Sequence, residues 1–155
     1  MIRSTSLIAL FLVASGSALA AHEKAAVFDF QFSNLSPVPS DTADTARLKR
    51  VSAQLRDLLQ KKGLFTVVSV DPVRDEVAKS ADLRRCNGCA DELARKLGAD
   101  VAITGEVQKV SNLILNLNVY VKPLGGSAPE KAYSVDLRGD TDESFDRGIR
   151  FLVEN

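Results

Sequence analysis

The chain has 155 residues, 45% of them hydrophobic and 26% charged, with 20 basic residues against 20 acidic ones. That size and balance suit one globular domain and leave no bulk attraction to nucleic acid or to an anionic membrane. With no Trp and only two Tyr, a stacking platform for single-stranded nucleic acid is poorly supplied.

The amino terminus reads as an export signal. Arg3 precedes a short apolar run, Leu7–Val13, and Ala18-Leu19-Ala20 offers small residues where a signal peptidase cuts. Residues 1–20 are therefore expected to be a cleavable signal peptide, and residues 21–155 one α/β domain of the periplasm. No Cys follows the apolar run, so a lipid-bearing terminal cysteine is not expected. No other segment approaches the roughly 20 apolar residues of a membrane span. An oxidising compartment favours a disulfide between Cys86 and Cys89, the two cysteines of the chain.

Residues 24–32 read as a strand and 33–41 as a loop. Asp41 caps a helix in which Leu48, Val51, Leu55, Leu58 and Leu59 share a face, and Gly63 ends it. Residues 64–70 are a second strand, 73–79 a short helix after Pro72, and 90–97 a further helix ended by Gly98. Residues 100–108 form the third strand. Residues 112–121 show the cleanest alternation in the chain, with Leu113, Leu115, Leu117, Val119 and Val121 on one side and Asn116, Asn118 and Tyr120, joined by Ile114, on the other. After a turn at Gly125-Gly126 comes a fifth strand, 131–138. A last helix carries Phe145, Ile149 and Leu152. The order β-α-β-α-α-β-β-β-α predicts one mixed sheet of five strands, with crossovers between the first three and a meander through the last three.

His22 is the single histidine and lies at the expected mature terminus, which argues against His-based triads and His-rich metal sites. No Gly-rich phosphate loop follows a strand, and no cofactor is expected. Cys86-Asn87-Gly88-Cys89 begins a helix after Arg84 and Arg85. Three readings stay open there: a disulfide that pins the loop to the helix, a thiol–disulfide exchange pair activated by the helix terminus and the arginines, or half a metal site that a dimer would complete. The acidic residues Asp140, Asp142, Glu143 and Asp146 could hold a hard cation or simply cap the last helix together with Thr141. Asp29, Asp136 and Arg138 are polar groups on strands. They suit ion pairs across the sheet or the lining of a groove.

The stretch Leu97-Gly98-Ala99-Asp100-Val101-Ala102-Ile103-Thr104-Gly105-Glu106-Val107 resembles the amino-terminal domain of TolB and the related domain of CsgG. Ala26–Phe30 and Leu55–Leu59 fit the same pattern. A wider resemblance, carried by Cys86–Cys89, Val107–Asn116 and Asp136–Gly148, is to small secreted proteobacterial proteins grouped as a domain of unknown function. It implies a TolB-like fold in a bacterial periplasm with no established catalysis. The function expected is a non-enzymatic envelope adaptor that binds a partner protein, with no nucleic acid and no membrane span. A homo-oligomer is compatible with that expectation. Its contact residues are expected at Lys109 and Asn112 and along Arg138, Asp140, Thr141, Asp142 and Arg147. The alternative is a redox protein using Cys86 and Cys89.

Overall fold

The computed structural model describes residues 22–80 and 82–155; the expected signal peptide lies outside them. In chain order the elements are β1 (Lys24–Val27), β2 (Gln31–Asn34), α1 (Thr42–Lys61), β3 (Thr66–Val68), a 3-10 turn (Asp71–Val73) running into α2 (Arg74–Lys79), α3 (Cys89–Lys96), β4 (Val101–Ser111), β5 (Ile114–Pro123), β6 (Lys131–Leu137) and α4 (Asp142–Glu154). The sheet runs β3-β1-β4-β5-β6, with β2 also lying against β4. β3 pairs β1, and β1 and β2 pair β4, all in parallel; β4, β5 and β6 form the antiparallel meander. Among the described residues no helix is long and apolar enough to cross a membrane.

The mixed sheet and its element order agree with the sequence. The single strand over 24–32 does not, because it is broken into β1 and β2. Val27 faces Ile103 and Gln31 faces Glu106, so four steps along the first strand match three along β4. The extra residue is a bulge. Asp29 takes it up at the surface, and Phe28 and Phe30 turn to opposite faces of the sheet. The bulge frees backbone groups that need partners. Side chains of α1 supply them: Ser52 Oγ accepts from Phe30 N at 2.9 Å, and Arg56 Nε donates to the Val27 carbonyl at 3.0 Å. Arg56 also pairs with Asp29.

Each face of the sheet has its own core. On one, Val51, Leu55 and Leu59 of α1 and Phe145 and Ile149 of α4 cover Ile103, Val107, Leu115, Leu117 and Val119. The apolar stripes read from both helices are these contacts. On the other, Leu93 and Ala94 of α3 join Phe28, Val73 and Leu83 over Ala26 and Ala102. That second core gathers over β1, β3 and the start of β4. The face of β5, β6 and the rest of β4 on that side is left to polar residues.

Candidate functional site

The polar face follows from strand parity. Residues that face each other across a sheet point to the same side. Register puts Gln31, Glu106, Asn118 and Ser134 in one row across four strands, and Ser33, Gln108, Asn116 and Asp136 in the next. Thr104 and Tyr120 extend the grid toward the start of β4. All of these alternate with the apolar residues of the first core. Six of the side chains are bonded in two sets. Ser134 Oγ lies 2.7 Å from Asn118 Oδ1 and 3.1 Å from Asn116 Oδ1, and Asn116 Nδ2 donates to Asp136 Oδ1 at 2.8 Å. Gln108 Nε2 donates to Glu106 Oε2 at 3.0 Å. Such a network presents amides and carboxylates in fixed positions, which lowers the entropic cost of binding.

The loop before α3 forms one margin of the grid. Gln31 Oε1 accepts from Leu83 N at 2.7 Å. The Arg84 guanidinium lies 3.5 Å from the centroid of the Tyr120 ring, a cation–π contact. It also forks onto Glu130 at 2.8 and 3.0 Å, and this hydrogen bonding holds its pKa above the ordinary arginine value against the opposing pull of burial. Lys122 pairs with Asp91 at 2.6 Å beside it. A small polar hollow of about 230 Å³ opens here, with Thr104, Arg84, Lys122 and Glu130 in its lining.

The acidic run at the start of α4 lies on the opposite, helix-covered face. Lys109 Nζ donates to Asp140 Oδ2 at 2.5 Å and to Asp44 Oδ1 at 3.3 Å. Arg47 donates to Asp140 at 2.7 Å and to Asp142 at 3.0 Å. Arg50 reaches Asp142 at 3.2 Å and Asp146 at 2.9 Å. Three basic side chains of the protein thus occupy the carboxylates that a bound cation would need. Asp44 also joins Asp41 in closing a capping box at the start of α1. The Asp44 backbone amide donates to the Asp41 side chain and lowers its pKa. Thr141 Oγ1 accepts from Ser144 N at 3.2 Å and caps α4.

Cys86 and Cys89 form a disulfide with α-carbons 5.6 Å apart. The two residues between them, Asn87 and Gly88, both sit at positive φ, +54° and +100°, where Asn and Gly are tolerated best. Cys89 begins α3 and packs against the second core. The bond therefore holds the loop bearing Arg84 against the start of α3. Replacing both cysteines by serine is expected to cost about 2 kcal/mol, as for any bridge closing so short a loop. Urea unfolding of the double variant against the oxidised wild type measures the loss, and the reduced wild type serves as the unbridged reference for the variant. Variant and reduced wild type should coincide.

Residues 23–155 match the family DUF3280, described as a protein of unknown function (DUF2380). The chain belongs to this family. No curated protein matches it. Among solved structures, this DUF3280 chain is similar to the LpoB C-terminal domain from Salmonella enterica, at 18% identity over 77% of this chain and 86% of that one, with a TM-score of 0.52. The same domain from Escherichia coli gives 17% identity over 79% and 88%, with a TM-score of 0.51. A PelC dodecamer from Paraburkholderia phytofirmans gives 12% identity over 86% and 85%, with a TM-score of 0.48. The LpoB likeness is one of fold. The Leu97–Val107 motif that suggested TolB and CsgG spans the end of α3 and the first half of β4; the fold likeness established by the solved structures is to LpoB.

Of the residues singled out in the DUF3280 sequence, Lys109, Asp140 and Asp142 come together in the ion cluster, and Thr141 stands beside them as the cap. Asn112, in the β4–β5 hairpin, accepts from Asp140 N through its carbonyl at 3.0 Å. Arg138 and Arg147 are exposed, the latter paired with Glu143 at 3.2 Å. None of these contact candidates lies on the grid, whereas Asp136, read as a polar group on a strand, does. Reasoning from the sequence missed Glu106, Gln108, Gln31 and Ser134. Their signal was present as the alternation of Thr104, Glu106 and Gln108 with Ile103, Gly105 and Val107.

Proposed function

We propose that the protein is a non-enzymatic adaptor of the bacterial periplasm, acting in the cell envelope through protein–protein contacts. Its contact surface is the open polar face of β2, β4, β5 and β6. The observation that carries this reading is the register-aligned grid of Gln31, Glu106, Gln108, Asn116, Asn118, Ser134 and Asp136, with Glu106 bonded to Gln108 and Ser134, Asn118, Asn116 and Asp136 bonded in a second set, on a sheet face that the second core leaves uncovered. An uncovered face with side chains already locked to one another suits recognition better than it suits folding. Asn112, Arg138, Thr141 and Arg147 contribute a second, smaller set of contacts at the hairpin and the start of α4, held in place by Lys109, Asp140 and Asp142. In this reading Cys86 and Cys89 serve the surface by fixing the loop that carries Arg84 to its margin, not by exchanging electrons.

A photo-reactive amino acid in place of Asn116, introduced in living cells, tests the surface. The expected result is one discrete adduct with an envelope protein, and none from the same group in place of Lys49, which is exposed on α1. Absence of an adduct at Asn116, or the same pattern from both positions, would overturn the reading.

A further inference from the structure

We infer that the open face is built to receive basic side chains, lysine or arginine, of the partner protein. This deepens the adaptor reading and rests on it. Glu106 sits within the grid at 8% exposure. Its one hydrogen bond comes from Gln108, and no ion pair among the described residues includes it. A carboxylate so far out of water, with no cation in contact and only the longer-range pull of an Arg84 already forked onto Glu130, is poorly compensated in the free protein. Asp136 is a second acid on the face and takes its hydrogen bond from an amide, Asn116. The cations at the margin are already matched, Arg84 by Glu130 and Lys122 by Asp91. Neither acid has a cation within ion-pair distance among the described residues, so the face keeps negative charge to offer and its complement is positive.

The spacing selects the kind of cation. Glu106 and Asp136 are two strands and one row apart, which separates their α-carbons by about 12 Å. That is too far for both to hold one metal ion, and it matches two side chains of a protein surface. The neighbouring acceptors, Asn118 Oδ1 and Asn116 Oδ1, can complete the hydrogen bonds of an ammonium or guanidinium.

The test is an NMR titration of the exported protein, purified from the periplasm, with a short acetylated peptide carrying two lysines. Parallel arms use the same peptide with glutamate for lysine, spermidine, and Ca²⁺. The lysine peptide should shift amides of the grid rows in β4, β5 and β6. Its affinity should fall about tenfold or more in the Glu106→Gln/Asp136→Asn variant, the loss of one to two charge pairs. It should be unchanged by Glu143→Gln, which removes an exposed acid of α4. The melting temperature of Glu106→Gln should stay level or rise, which a structural role for this carboxylate would not allow. No shifts, shifts that survive the double variant, or equal shifts from the glutamate peptide, spermidine or Ca²⁺ would overturn the inference. An Asn116 adduct together with a silent peptide would sink this inference alone. A bound peptide with no adduct at Asn116 would sink the adaptor reading.

Discussion

Replacing Lys109 with methionine is expected to destabilise the fold by about 3–5 kcal/mol, the cost of removing one partner from a buried ion pair. The Lys109 side chain is 5% exposed and points between Asp44 and Asp140. Methionine fills the space of the stem but leaves those carboxylates with only Arg47. Adding Asp44→Asn and Asp140→Asn should recover much of the loss, since neutral partners need no counter-charge. The interaction also sets a pH dependence. Burial is the strongest single influence on Lys109 and pulls its pKa down, but the hydrogen bonds to Asp140 and Asp44 outweigh it, so the net shift is upward from 10.5. A folded-state pKa above the unfolded one means the contribution is complete below pH 10.5 and is lost as pH rises through the folded value. Urea unfolding of wild type and Lys109→Met at pH 7 and near pH 11 checks both parts. The gap should be widest at pH 7. A loss under about 1 kcal/mol there would show that the cluster does not hold α1, β4 and α4 together.

The second large effect lies at the bulge. Phe30→Ala should cost about 3–5 kcal/mol, as for any buried aromatic cut back to a methyl. Phe30 is 3% exposed and its ring packs against Gly105, where an added Cβ would come within 2.4 Å of it. Gly105→Ala alone should therefore cost about 1–3 kcal/mol through overpacking. The two substitutions share one volume, so the double variant should lose less than their sum. Denaturant unfolding of the four proteins measures the coupling, and strict additivity would contradict the packing described here.

Much of the architecture was legible because each element carries its own periodicity. The strict alternation of Leu115, Leu117 and Val119 with Asn116 and Asn118 fixed which side of β5 faces the core. Gly63 closes α1, and the Asp41 cap opens it. The β1–β2 break was hidden because Ala25, Ala26, Val27, Phe28 and Phe30 are all buried, so the bulge leaves no gap in the apolar run. Its signs, Ser52 and Arg56, sit on another element. The acidic run at 140–146 looked unmatched for a similar reason. Arg47 and Arg50 meet it from more than 90 residues away. The polar grid needs strand register as well as parity, since Glu106, Asn118 and Ser134 become neighbours only once three strands are aligned.

One measurement bears most directly on the idea that this face exists to be touched. Asn116→Ala/Asn118→Ala/Ser134→Ala removes the hydrogen-bonded centre of the grid while leaving both cores intact. Its melting temperature is read alongside its cross-linking yield, with the photo-reactive group moved to Gln108. The account predicts a near-native melting temperature and a lost adduct. A protein that melts far lower yet keeps its adduct would contradict it, because the amides would then be serving the fold and the partner would be held elsewhere.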